Sequence, residues 1–163
     1  MTTTTNTIVA APVRRSVIVK APPDRAFQAF VGNIGRWWPR SHAINGKPLA
    51  EAVLEPKVGG RWYEISEDGS TCDWGKVLAY EPPGRLLLAW QIDADWKYDP
   101  ELITEVEVQF IAEGSGTRVE LEHRNIERFG AKAAEVAGMI GSDAGGWLFI
   151  LGLFAENADS EVA

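Results

Sequence analysis

Two histidines, His42 and His123, and one cysteine, Cys72, are the chain's whole stock of imidazole and thiol. A single thiol excludes an internal disulfide and a Cys-rich zinc site, and two imidazoles would need carboxylates to complete any other metal site. No metal and no cofactor is expected. His123 lies in a segment, residues 117–126, whose side chains alternate in polarity. Successive side chains of a strand point to opposite faces. Val119, Leu121 and His123 therefore share an apolar face, and Arg118, Glu120, Glu122 and Arg124 share a wet one. An imidazole on an apolar face is either neutral and satisfied by a neighbour, or a ligand contact or general acid/base acting near neutral pH. Glu64 is the second candidate. In residues 60–66 the parity is ambiguous, with Trp62 and Glu64 on one face and Arg61, Tyr63 and Ile65 on the other. A carboxylate that faces inward must be paired, here with Arg61, Arg85 or His123, or it must face a wet cavity. Glu64 and His123 together in one cavity would form an acid/base pair.

The other polar candidates read as bland. Asp73, Asp93 and Asp95 have no facing partner and are expected in solvent. Ser66 and Ser70 lie near a turn with no histidine close in sequence, and Cys72 is expected to pack within a strand. No phosphate-binding loop, dinucleotide glycine motif, HExxH or nucleophile elbow is present. The chain has seven tryptophans. Trp90 and Trp147 fall on inward faces, where they either fill the core or line an aromatic pocket. A buried indole N–H wants an acceptor in both cases. Trp37 and Trp38 sit on a short helix beside His42. Trp74 and Trp96 are expected on outer faces or loops.

The elements that must position these side chains follow from periodicity and breakers. Residues 13–20 read as a strand, stopped by Pro22 and Pro23. A helix follows over 24–31, with Phe27, Phe30 and Val31 on one face, and then a short one through Trp37 and Trp38 that Pro39 ends. Strands are predicted at 52–55, 60–66, 72–80, 85–92, 104–112 and 117–126, joined by turn signals such as Asp68-Gly69 and Pro82-Pro83-Gly84. A helix is predicted from about 132 to 157, with an interruption near 141–146. Its Trp147, Ile150, Leu151 and Phe154 form a stripe that packs on the sheet. The class is α+β, a curved antiparallel sheet of six to seven strands with two short helices after the first strand and a long C-terminal helix. The expected organisation is a disordered tail at 1–10, one domain at 11–157 and a tail at 158–163.

Length and charge set outer bounds. The chain has 163 residues and a net charge of −7. Residues 1–100 hold 12 bases and 11 acids, and residues 101–163 hold 4 and 12. No basic footprint for nucleic acid or an anionic membrane surface is present. Residues 1–7 lack a signal-peptide pattern, and the longest apolar stretch, 145–155, is well short of the ~20 residues of a membrane span. A cytoplasmic protein with no membrane span is expected.

In order along the chain stand Ala21-Pro22-Pro23-Asp24-Arg25-Ala26-Phe27, Trp37-Trp38-Pro39, Val58-Gly59-Gly60-Arg61-Trp62-Tyr63-Glu64, and Asp73-Trp74-Gly75-Lys76-Val77. Pro82-Pro83 with Leu86 and Trp90, Gly116-Thr117 with His123, Gly145-Gly146-Trp147 and Phe154-Ala155 follow. In this order they resemble the SRPBCC superfamily, the START and birch-pollen-allergen type of helix-grip protein. Within it the chain is most similar to single-domain bacterial proteins named after the activator of heat-shock protein 90 ATPase. The resemblance spans residues 13–155 and implies a helix-grip fold with an internal hydrophobic cavity. Members bind lipids, sterols, polyketides and other apolar molecules, and some are cyclases or hydrolases. By resemblance, Trp62 and Glu64 face the cavity. A chain of 163 residues has no room for the extra N-terminal domain of the eukaryotic co-chaperone, which counts against co-chaperone activity.

The first expectation is a binding protein for a small apolar molecule, lipid, polyketide-like or aromatic, held between the sheet and the last helix. Trp38, Trp62, Glu64, Trp90, Phe110, His123, Trp147 and Leu151 would contact it, with Glu64 and His123 orienting a polar end. The alternatives are a cyclase- or hydrolase-type enzyme with Glu64 and His123 as acid and base, and a chaperone-linked or other protein-interaction module, with a homodimer as one form.

Overall fold

A computed structural model describes residues 11–160; the tail expected at 1–10 lies outside the described residues. The first strand, β1 (Val13–Val19), ends at the Pro22-Pro23 pair. Pro23 opens helix α1 (Pro23–Gly32), where a missing N–H costs nothing and the fixed φ suits the first turn. Its buried side, Ala26, Phe27, Ala29, Phe30 and Val31, meets the sheet and the last helix. Phe27 packs edge-on against Phe110, and Phe30 against Phe154, with ring centroids 5.1 and 5.2 Å apart. The single-turn helix α2 (Ile34–Trp37) follows.

Six strands come next: β2 (Leu49–Leu54), β3 (Arg61–Ser66), β4 (Thr71–Glu81), β5 (Arg85–Trp90), β6 (Thr104–Glu113) and β7 (Gly116–Arg124). With β1 they make one seven-stranded antiparallel sheet in the order β1-β7-β6-β5-β4-β3-β2. Only the β1–β7 pairing joins strands distant in sequence, and its register sets Val17 opposite Val119. The sheet is the expected α+β helix-grip architecture. Its outer face carries the acid excess of the last strands in ion pairs: Arg124 bonds Glu105 at 2.9 Å and Glu107 at 2.8 Å, and Arg85 also bonds Glu107.

After β7 the chain makes a 3₁₀ segment (Ile126–Lys132) and helix α3 (Ala133–Ile140), turns through residues 141–146, and ends in helix α4 (Trp147–Ser160). The helical region predicted as one interrupted rod is thus two helices with a corner between them. Gly146 permits the corner, because a Cβ there would lie 2.4 Å from the Ile140 carbonyl oxygen. The stripe of Trp147, Ile150, Leu151 and Phe154 is buried in full.

Parity in β3 resolves with Trp62, Glu64 and Ser66 inward. In β4 it changes partway. Trp62 pairs with Gly75, but Tyr63 pairs with Asp73, so Trp74 is the extra residue of a β-bulge. Trp74 is 1% exposed, which corrects its expected place on an outer face: the bulge turns it inward. Gly75 lies between Trp62 and Trp90 on neighbouring strands. Its bare backbone lets those two rings meet at 5.7 Å. A Cβ at Gly75 would lie 1.7 Å from the Ala89 carbonyl oxygen. Gly75→Ala is therefore expected to destabilise the protein by about 3 kcal/mol or more in urea unfolding. Gly84→Ala, where a Cβ meets nothing within 4 Å, is the control and should shift the midpoint little.

Candidate functional site

A cleft of about 570 Å³ opens at one end of the sheet, a size typical of small-molecule sites. Three chain segments form its rim: the loop after α2, with Ser41, His42, Ala43 and Ile44; the turn after β5, with Ile92 and Trp96; and the α3–α4 corner. Its walls are aromatic, built from Trp38, Trp74, Trp90, Trp96 and Trp147. His42 is the one ionisable side chain among the lining residues. Of the expected ligand contacts, Trp38, Trp90 and Trp147 line this cleft. Trp62, Glu64, Phe110, His123 and Leu151 are buried outside its wall.

The indoles of Trp37, Trp38, Trp62, Trp74, Trp90 and Trp147 form one connected cluster. Trp38 lies 5.0 Å from Trp74, 6.0 Å from Trp62 and 6.1 Å from Trp147, and Trp90 lies 5.6 Å from Trp147. Such tilted and edge-on pairs are the favoured aromatic geometries. Trp62 fills the centre and its Nε1–H has no acceptor. The Nε1–H groups of two of its neighbours do: Trp90 donates to the Ile92 carbonyl at 3.1 Å, and Trp74 donates to Glu64 Oε1 at 2.7 Å.

Glu64 is wholly buried beneath the rim loop. Its Oε1 accepts from the Ile44 backbone N–H at 2.8 Å and from Trp74 Nε1–H at 2.7 Å, and its Oε2 accepts from the Asn45 N–H at 3.4 Å. The arginines considered as partners lie elsewhere: Arg61 pairs with Asp73, and Arg85 with Glu107 and Glu81. Asn45 adds bonds to Ser66 and Ser70, at 3.0 and 3.2 Å. Glu64 thus ties down the loop that carries Ser41, His42 and Ile44, and it orients Trp74.

His123 is also wholly buried. Trp147 Nε1–H donates to its Nδ1 at 3.1 Å. An indole N–H only donates, so Nδ1 accepts and the proton sits on Nε2. Nε2–H then donates to Thr104 Oγ1 at 2.8 Å, and the Thr104 hydroxyl donates to the Trp90 carbonyl at 3.2 Å. This directed chain joins β7, β6 and β5 to the first residue of α4 and orients two cleft walls, Trp90 and Trp147.

The structure does not bring Glu64 and His123 together. They lie four strand positions apart on the same face, roughly 19 Å along the sheet at ~4.8 Å per strand. Each is committed to its own hydrogen bonds. Burial also pushes the Cys72 thiol up, away from the thiolate a nucleophile needs. Among the described residues no cluster of three or more His, Cys, Asp or Glu could hold a metal ion, and no helix is long and apolar enough to cross a membrane.

Sequence reasoning missed Trp74, Trp96 and the Ser41–His42 pair as lining residues. His42 follows Trp38 and Pro39 closely, which placed it beside the short helix without giving it a role. Its Nε2 lies 2.6 Å from the Gly145 carbonyl oxygen and its Nδ1 3.0 Å from Ser41 Oγ. Trp96 tips the turn after β5 with φ at 62°, a left-handed conformation uncommon for a bulky residue. Asp93 holds that turn by accepting the backbone N–H groups of Asp95 and Lys97 at 2.9 and 3.0 Å.

A curved antiparallel sheet gripping a C-terminal helix, with an aromatic cleft at one end, defines an SRPBCC-type helix-grip protein. The chain belongs to the family described as Activator of Hsp90 ATPase homolog 1-like protein, which matches residues 20–147. Comparison with curated proteins gave no match. Among solved structures, the chain is similar to the anthrahydroquino-gamma-pyrone synthase Txn09, solved in complex with a ligand designated SUM. Identity is 38%, coverage 91% of this chain and 97% of that one, and the TM-score 0.64. It is similar too to CalC from Micromonospora echinospora, described as a self-sacrificing resistance protein, at 35% identity, 92% and 95% coverage and a TM-score of 0.65. The Aha1 dimer of Colwellia psychrerythraea shares the fold at 16% identity, 92% and 97% coverage and a TM-score of 0.61.

Burial holds the His123 imidazole down, to about 3 from an ordinary 6.5, so it stays neutral when folded. The unfolded chain takes up a proton there first. The stability from a neutral His123 is therefore complete above about pH 6.5 and is lost as pH falls toward 3, with a slope of up to about 1.4 kcal/mol per pH unit. Denaturant unfolding of wild type and His123→Gln between pH 7 and pH 4 should show a shallower acid loss in the variant; equal slopes would contradict the neutral relay.

Proposed function

We propose that this chain binds a planar, polycyclic aromatic small molecule of the polyketide type in the tryptophan-lined cleft. The observation that carries this reading is the wall itself: five indoles around one cavity, with a single ionisable side chain among the lining residues. Flat π-surfaces stack on indole faces and edges, and burying them supplies most of the affinity. A relative at 38% identity supports it, named as an anthrahydroquino-gamma-pyrone synthase. The synthase also favours a second reading, in which the cleft is catalytic.

Trp96 offers a test that spares the core. It is 40% exposed, lines the cleft and sits at a positive φ that glycine adopts freely. Trp96→Gly should leave the urea midpoint unchanged or raise it. Quenching of tryptophan fluorescence by 2-hydroxyanthraquinone should report binding to wild type, with a Kd about 5- to 10-fold weaker in Trp96→Gly, the worth of one aromatic contact. No quenching in wild type would overturn the reading.

A further inference from the structure

We infer that His42 is the cleft's proton acceptor, a general base that takes the proton of a phenolic hydroxyl on the bound aromatic molecule through Ser41. This rests on the proposed ligand reading and goes beyond it by assigning a catalytic group, and a required hydroxyl, to that ligand.

The geometry fixes the direction of the proton path. His42 Nε2 sits 2.6 Å from the Gly145 carbonyl oxygen. A carbonyl oxygen only accepts, so Nε2 carries the proton and Nδ1 keeps its lone pair. That lone pair lies 3.0 Å from Ser41 Oγ, whose hydroxyl donates to it. Ser41 is exposed and, like His42 and Gly145, is part of the cleft wall. Its oxygen keeps lone pairs for a hydroxyl arriving from the cleft. An imidazole held by an acceptor on one nitrogen and facing a hydroxyl on the other has the arrangement of a base with its orienting partner.

The step balances without a co-reactant. The ligand O–H bond breaks and its proton passes to Ser41 Oγ as the Ser41 proton passes to Nδ1. The ligand is left as an aryloxide and His42 as an imidazolium. Nothing is oxidised or reduced. The imidazolium keeps its Nε2–H bond to Gly145, so the charge forms without rearrangement of the rim. No other ionisable side chain lines the cleft to compete for the proton or to neutralise the aryloxide. Asp143 is on the same corner loop but is not part of the lining. The ring facing His42 is that of Phe149, 6.0 Å away and uncharged.

Glu64 and Thr104–His123 are what place this pair, through the rim loop and through Trp147 beside the corner. His42, by contrast, needs no buried neighbour, so its removal is separable from folding.

The test uses the full-length protein and 2-hydroxyanthraquinone, whose visible spectrum changes when its phenol ionises. Bound to wild type, its ionisation midpoint should lie about one pH unit or more below that of the free probe. In His42→Gln, whose amide can still donate to Gly145, the probe should still quench tryptophan fluorescence while the midpoint returns to the free value or rises above it, since an apolar cleft without the base disfavours the aryloxide. Ser41→Ala, at an exposed position that cannot unfold the chain, should lose most of the shift. Ring nitrogen NMR of the free protein should show His42 as the Nε2–H tautomer. Binding with no downward shift in wild type, a shift that persists in His42→Gln, or the Nδ1–H tautomer would each overturn the base while leaving the binding reading intact. Absence of quenching in wild type would overturn both.

Discussion

A carboxylate sealed from water must be met by donors, and the way Glu64 is met organises one end of this molecule. A lone buried charge costs far more than a fold of this size can spare, whereas charge-assisted hydrogen bonds from two backbone amides and an indole satisfy it. The two amides belong to Ile44 and Asn45, the indole to Trp74. The rim loop and the aromatic wall are therefore fastened to the same two oxygens. The residues that a ligand would meet first, Ser41, His42 and Ile44, owe their place to an acid that no ligand in the cleft would touch.

The inward tryptophans divide between filling and lining. Trp62 occupies the centre in edge-on contact with Trp38, Trp74 and Trp90, and Gly75 makes room for it opposite Trp90. Trp38, Trp74, Trp90 and Trp147 pack around that centre and show their remaining surface to the cleft. A neutral His123 holds two of them through its directed chain to Thr104 and Trp147. The core and the candidate site are thus one continuous structure, and the site's aromatic wall follows from the packing of the core.

Much of the frame was legible in the sequence because its periods are clean. The alternation in β7 placed Val119, Leu121 and His123 on one apolar face, which the structure buries, and the helical stripe from Trp147 to Phe154 stood out equally well. Trp74 was not legible. A bulge shifts parity by one residue, and nothing local in the sequence marks where the shift falls. The α3–α4 corner was visible only as an interruption, since its shape depends on how closely Gly146 approaches Ile140. The candidate site was legible in chemistry but not in geometry. Sequence faces put Glu64 and His123 on the same side of one sheet, yet the strand order keeps them four strands apart. His42 and Ser41 sit in a loop with no period, so only tertiary contact with Gly145 reveals their pairing.

The most direct test of this account is the structure of the protein in complex with 2-hydroxyanthraquinone. The fused rings should lie in the cleft against Trp38, Trp90, Trp96 and Trp147, with the hydroxyl at the Ser41–His42 pair and the bonds of Glu64 unchanged. Rings seated on the outer face of the sheet, or along the β1 or β2 edge with the cleft empty, would contradict it.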